Sequence, residues 1–256
     1  MTHTINFLFS CCLLLDAMAI KQQIDYDTHK QKFTGYVDLG NGDELDCEAK
    51  EVLVFMLVGL KGHWKAPIAY FFTRSLPVEV QTELVTHCLS KLQELGFCVR
   101  VVTMDGHATN KAMCKKFGCN LSLDDIAHFK PSFQIEGADY QTYVMFDTCH
   151  MIKLVRNTLQ ALRHIWSLDG QISWQLISDL HETQQQLGLR LANKLGNAHI
   201  DFHSQKMKVA LAVQALSASV AAALQTLRDL GMKQFSYSGP TIEFIKVIIC
   251  SMSIMI

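Results

Sequence analysis

Two aspartates stand at positions where an acid needs a reason. Asp16 interrupts the apolar run LLLDAMAI at residues 13–20, and a carboxylate inside a buried strand is costly unless a metal or a partner neutralises it. Asp105 follows the apolar run FCVRVVTM at residues 97–104, where a strand runs out and the side chain can project from the sheet beside a helix start. Two carboxylates brought side by side on neighbouring strands can hold a pair of Mg²⁺ ions. Such ions activate a water or a 3′-hydroxyl and stabilise the leaving oxygen in phosphodiester transfer. A plainer role, in which the acid caps the following turn or helix, accounts for Asp105 almost as well.

Other groups invite weaker readings. Asp147, Cys149, His150, Lys153, Arg156 and Asn157 cluster in one segment, and the helical spacing of His150, Lys153 and Asn157 gives one face that could approach the catalytic site or a phosphate; otherwise these residues cap and solvate a domain junction. His199, Asp201 and His203 could be drawn as a metal trio, although a solvated face around a buried Phe202 explains them more simply. Cys114 and Cys119 lack the matching pairs of a zinc site. Lys115 with Lys116, and Lys206 with Lys208, are small basic pairs of the kind usually left in solvent. No GxxxxGK[ST] loop is present, and NKLG at residues 193–196 lacks the acid that would make it a guanine-reading motif.

The elements that must position these residues follow from hydrophobic patterning. Residues 7–20 and 33–37 read as strands. Residues 51–60 (EVLVFMLVGL) and 66–72 (APIAYFF) read as a hairpin or one bent strand around Gly62. Pro77 opens an amphipathic helix in which Val80, Leu84, Cys88, Leu92 and Leu95 recur at helical spacing, and Gly96 stops it. A buried strand at 97–104 leads through Asp105 into a helix at 107–117, closed by Gly118. A strand at 143–146 then leads into an amphipathic helix expected to run through Trp166. From 172 to 230 only helical stretches are evident, broken near Gly188, Gly196 and Gly231. Strands, then strand–helix alternation, then helices alone predict an α/β core over residues 1–146 with a mixed sheet flanked by helices, followed by an all-helical domain over 147–256.

Composition sets the outer limits. The chain has 256 residues, 49% of them hydrophobic, enough for a sizeable core and for two domains. A net charge of −1 gives no whole-molecule attraction to nucleic acid, so any such contact must come from local patches. Nine cysteines without a CxxC pair fit reduced thiols better than a disulfide framework. The apolar run at residues 5–15 lacks a basic leader and is too short to span a bilayer. No membrane partner is expected.

Six blocks carry a resemblance: DAMAIK at residues 16–21, GYVDLG at 35–40, LVFMLVGLKGHWKAPIAYFF at 53–72, MDGHATN at 104–110, FDTCHMIKLVRN at 146–157 and LANKLGNAHIDFHSQKMKV at 191–209. In that order they resemble the P-element-type DNA transposases, the group that includes the THAP-domain transposase-like proteins of animals. The resemblance implies an RNase H-like fold that cuts and joins DNA with Mg²⁺, interrupted by a helical insertion that binds GTP as a positioning cofactor. It implies that Asp16 and Asp105 are the first two metal-binding catalytic acids. It further implies transposon-end DNA as partner, a nuclear location, and a homo-oligomer as an admissible assembly. Ala17 departs from the acid that usually follows the first Asp, but that neighbour points to the other face of the strand. The family's zinc finger would precede this core, and its third acid, a Glu, would follow the insertion. The tail IICSMSIMI loses the family pattern. The expectation is therefore a core that is catalytically incomplete by itself; the alternatives are a domesticated nucleotide- or DNA-binding module and a relic reading frame.

Overall fold

A computed structural model describes residues 9–29, 31–40 and 44–254. They form two compact units that divide between Asp147 and Thr148, each with its own apolar core.

The first unit is built on a mixed sheet. Its strands are β1 (Ser10–Ala19), β4 (Tyr36–Asp38), β5 (Glu44–Glu48), β6 (Glu51–Gly59), β7 (Lys65–Thr73), β8 (Cys98–Met104), β9 (Ser132–Gln134) and β10 (Gln141–Phe146), while β2 (Asp25–Asp27) and β3 (Lys32–Thr34) make a separate small hairpin. The order across the large sheet is β5-β4-β7-β6-β1-β8-β10-β9. Strand β6 runs antiparallel to both of its neighbours, β7 and β1, and β8 and β10 run parallel to β1. That combination of a three-strand meander with two parallel additions is the RNase H-like arrangement. The strand expected over residues 33–37 is broken in two at Gly35. Its φ of +105° suits glycine alone, and a Cβ there would collide with the Gln23 carbonyl oxygen.

Helices α1 (Val78–Glu94) and α2 (Ala108–Lys116) cover one face of the sheet. Cys11, Leu13 and Leu15 of β1 and Leu53, Phe55 and Leu57 of β6 alternate inward to meet Val85, Leu89 and Leu92 of α1. The buried stripe of α1 is Gln81, Val85, Leu89 and Leu92, rotated from the expected one: Leu95 is largely exposed, and Val80, Leu84 and Cys88 lie at its margin. The helix carries apolar residues over a wide arc, and the packing chooses the centre of that arc, which places a glutamine on it.

The second unit contains α3 (Thr148–Leu162), α4 (Gln175–Leu187), α5 (Asn197–Ile200), α6 (Val209–Ala215), α7 (Ala218–Asp229) and α8 (Gly239–Ile254). The all-helical expectation needs one correction. Helix α3 stops at Leu162, Arg163 takes a positive φ of 64°, and β11 (His164–Ser167) pairs with β12 (Gly170–Ser173) in an antiparallel hairpin. The turn at Leu168 and Asp169 ahead of Gly170, a short hairpin signal, outweighs the helical period that seemed to carry α3 through Trp166. The stretch Val209–Asp229 is long and apolar enough to cross a bilayer by length and composition. It is nevertheless interrupted between α6 and α7 by Leu216 and Ser217, and its Ala212, Ala215, Val220, Leu224 and Leu227 are packed in the core.

Candidate active site

The sheet opens where its parallel strands part. Strand β1 pairs with β8 only as far as Leu14 opposite Thr103, yet it keeps its antiparallel pairing to β6 through to Ala19 opposite Glu51. Beyond Leu14 one edge of β1 therefore has no neighbouring strand. A crevice forms at the carboxyl ends of β1 and β8, the place where open α/β sheets bind ligands. It is a cleft of about 390 Å³, and both Asp16 and Asp105 line it, along with Glu51, Arg74, Gln81 and Asn110.

Asp16 extends the face of β1 opposite the helix-packed residues Leu13 and Leu15, and it is exposed. The expected burial of its charge is thus corrected: the strand stays in the sheet on one side while the missing neighbour on the other admits water. Asp16 has no hydrogen-bond or ion-pair partner among the described residues. Asp105 sits at the end of β8, half-buried. Its Oδ1 accepts from the backbone N–H of His107 at 3.0 Å and from Asn110 Nδ2 at 2.7 Å, and Oδ2 has no partner among the described residues. His107 is the N-cap of α2 and accepts from the Thr109 N–H through Nδ1 at 3.4 Å. The capping role weighed for Asp105 thus falls chiefly to His107, and Asp105 fixes the turn that leads into the helix.

Two carboxylates open to one cleft, neither neutralised by an ion pair, are hard oxygen donors of the kind Mg²⁺ takes along with retained waters. Among the described residues no group of three His, Cys, Asp or Glu side chains comes together as a metal site. The donor set thus fits a divalent ion as a partial one. Three lining residues escaped the sequence reading. Glu51 opens β6 and Arg74 follows β7; both are exposed and look in sequence like ordinary surface charges. Gln81 could have been found by stepping back four residues at a time from Leu89 through Val85.

The other candidates resolve into structure. Cys114 and Cys119 are buried, and burial pushes the Cys114 thiol up to about 12 and the Cys119 thiol in the same direction, away from the thiolate that zinc requires. His199 is buried, with Nε2 2.7 Å from Gln214 Oε1 and Nδ1 3.0 Å from the Gly196 nitrogen, while Asp201 and His203 are exposed. No metal trio forms from them. Arg156 turns inward, lies over the Phe202 ring at 3.8 Å and donates from Nη2 to the Lys206 carbonyl at 2.7 Å. Lys116 is paired with Glu79 at 2.9 Å; Lys115, Lys206 and Lys208 are exposed. A polar pocket of about 600 Å³ in the second unit is lined by His181, Gln184, Arg190, Asn193, Lys194 and Asn197 among others.

Sheet order, helix layer and an acidic crevice at the parallel strand ends define an RNase H-like core followed by a mainly helical domain. Comparison with known proteins makes that specific. Residues 4–118 match the family model described as TNP-like, RNase H N-terminal domain, and residues 149–255 match TNP-like, GTP-binding insertion domain. The chain is 32% identical over 243 residues to human DNA transposase THAP9, covering 93% of this chain and 26% of that protein. It is 24% identical over 240 residues to the Transposable element P transposase of Drosophila melanogaster, covering 93% and 28%. The solved Drosophila P element transposase strand transfer complex has the same fold, with a TM-score of 0.76, 22% identity, and coverage of 96% of this chain and 51% of that one. The chain belongs to the P-element-type transposase family. It spans about a quarter of the length of the curated relatives it matches.

Proposed function

We propose that the first unit is the acidic core of a DNA transposase, in which Asp16 and Asp105 hold Mg²⁺ against the scissile phosphate. The observation that carries this reading is the meeting of the two carboxylates in one open cleft, at the ends of adjoining parallel strands. A bound divalent ion would supply Lewis-acid activation of the attacking oxygen and charge stabilisation of the leaving one. The chain's own residues orient the metal ligands, and Arg74 on the same cleft offers a cation to a backbone phosphate. Among the described residues no third side chain joins the two acids as a metal site, and metal-assisted DNA binding is the step assigned to these two acids. The test is fluorescence anisotropy of a labelled DNA duplex at constant ionic strength, with Mg²⁺ or with EDTA. The expected result is tighter binding with Mg²⁺, and loss of that increment in Asp16→Asn and Asp105→Asn. Equal affinity in EDTA, or an increment that survives both substitutions, overturns the reading.

The second unit is proposed to bind GTP. The polar pocket that carries Arg190 and Lys194 offers two cations for the phosphates, and the amides of Asn193 and Gln184 lie beside them. Calorimetric titration with GTP and ATP, on the chain and on Lys194→Met, tests this. GTP binding weakened in the variant supports it, and unchanged binding moves the site elsewhere. A nuclear site of action is proposed with the DNA substrate, and imaging of the tagged chain checks it.

A further inference from the structure

Gln81 is the one polar residue on the buried stripe of α1, only 6% exposed amid Val85, Leu89 and Leu92. An amide buried there loses its hydration and has to recover it by hydrogen bonding. An apolar side chain would meet the packing demand without that cost. The hydrogen bonds of Gln81 lead to the cleft. Its Nε2 donates to Asn110 Oδ1 at 2.5 Å and lies 3.7 Å from the sulfur of buried Met113. Asn110 then donates from Nδ2 to Asp105 Oδ1 at 2.7 Å and to the Asp105 carbonyl at 3.3 Å.

The direction of this chain matters. Because Gln81 donates to Asn110 Oδ1, the amide of Asn110 is held with its Nδ2 toward Asp105. A flipped Asn110 would set a carbonyl oxygen against the carboxylate. With both protein donors gathered on Oδ1, Oδ2 is the oxygen left for a cation. We propose that Gln81 and Asn110 are positioning residues that fix the orientation of Asp105 for a divalent metal, Gln81 acting solely through Asn110. The inference rests on the reading that Asp105 is a metal ligand. Outer hydrogen-bond partners of this kind orient the ligands they touch, and their loss typically weakens metal binding about 10- to 100-fold.

The experiment is titration of the full chain with Mn²⁺, with free ion followed by electron paramagnetic resonance, alongside the thermal unfolding midpoint without metal. The variants are Asp105→Asn, Asn110→Leu, Gln81→Met and the Gln81→Met/Asn110→Leu pair. The expected result is loss of the site in Asp105→Asn and roughly ten-fold weaker binding in Asn110→Leu. Gln81→Met should also bind more weakly while its metal-free midpoint stays at or above that of the unsubstituted chain, because methionine suits the apolar stripe. A packing role alone would lower the midpoint and leave affinity unmoved. The pair should bind no more weakly than Asn110→Leu, since a relay that acts through Asn110 has nothing further to lose. If Asp105→Asn abolishes binding while both single variants stay within two-fold, the relay is refuted and the metal site stands. If Asp105→Asn binds Mn²⁺ as the unsubstituted chain does, the metal reading falls and the relay with it.

Discussion

Arg156 gives a prediction whose order runs against the usual ranking of substitutions. Its guanidinium is fully buried without an ion pair among the described residues. It donates from Nε to Asn157 Oδ1 at 2.8 Å and from Nη2 to the Lys206 carbonyl at 2.7 Å, stacks over Phe202, and leaves Nη1 without a partner among the described residues. Burial pushes its pKa down, the mark of a charge held where charge is disfavoured. Arg156→Lys keeps the buried charge, yet a single ammonium cannot lie flat on the ring and reach in two directions. Losing one charged hydrogen bond costs about 1.5–3 kcal/mol and the stacking about 1 kcal/mol, so a destabilisation of about 3 kcal/mol is expected. Arg156→Met gives up the same contacts but removes a desolvation penalty of several kcal/mol, and should fall within about 2 kcal/mol of the unsubstituted chain. The expected order is Arg, then Met, then Lys. Because the two units have separate cores, a whole-chain unfolding signal would mix them. Urea unfolding should therefore be read by hydrogen exchange in peptides from residues 148–254. A lysine variant as stable as the unsubstituted chain, or more stable than the methionine variant, refutes the reasoning.

Thiol reactivity should sort by burial. Cys11 and Cys114 are pushed up to about 12 and Cys88 to about 11 by desolvation, whereas Cys149 and Cys250 are exposed; brief alkylation at pH 8 followed by mass spectrometry should label the last two first. The hydrogen bond from Lys116 holds the Glu79 carboxyl below its ordinary value. The contribution of this link between α1 and α2 is present above the ordinary carboxylate range and is lost as pH falls through the lowered folded value. An NMR titration should show the Glu79 pKa rising in Lys116→Met. Arg74→Ala should weaken binding of a DNA duplex and lower the slope of log affinity against log salt by about one, as loss of a single phosphate contact predicts; an unchanged slope would remove Arg74 from the DNA contacts.

How much of this was legible in the sequence depended on the range of the signal. Strands β1, β6, β7, β8 and β10 and helices α1 and α2 announced themselves through local periodicity and closing glycines, and the order of elements pointed to the fold class; the short edge strands β5 and β9 carry too few residues to show a period. The hairpin at β11 and β12 was missed because His164, Ile165 and Trp166 continue the apolar period of α3; the Leu168-Asp169-Gly170 turn was the overlooked clue. Glu51 and Arg74 were not legible because nothing local distinguishes a surface charge from one that the sheet brings to a cleft. Arg156 stands in the sequence as one member of a polar cluster, and only the loop through Phe202 and Lys206 reveals that it faces inward.

Asp16 carries its charge where the sheet leaves it in solvent. An acid in the middle of an apolar strand is costly if both edges of that strand are paired and both faces covered. In β1 the first condition fails after Leu14, where β8 falls away, and Asp16 lies on the face that α1 does not cover. The acid is tolerated because the sheet has opened there, and the opening is also what makes room for a ligand. The cost of a buried charge is thus avoided rather than offset, because Asp16 lies exposed beside the edge of β1 that β8 leaves open. The same reasoning applies to Gln81, with the opposite outcome. Although it borders the same cleft, Gln81 is only 6% exposed, so its amide is satisfied inside the protein, and the partner that satisfies it is the residue that holds Asp105.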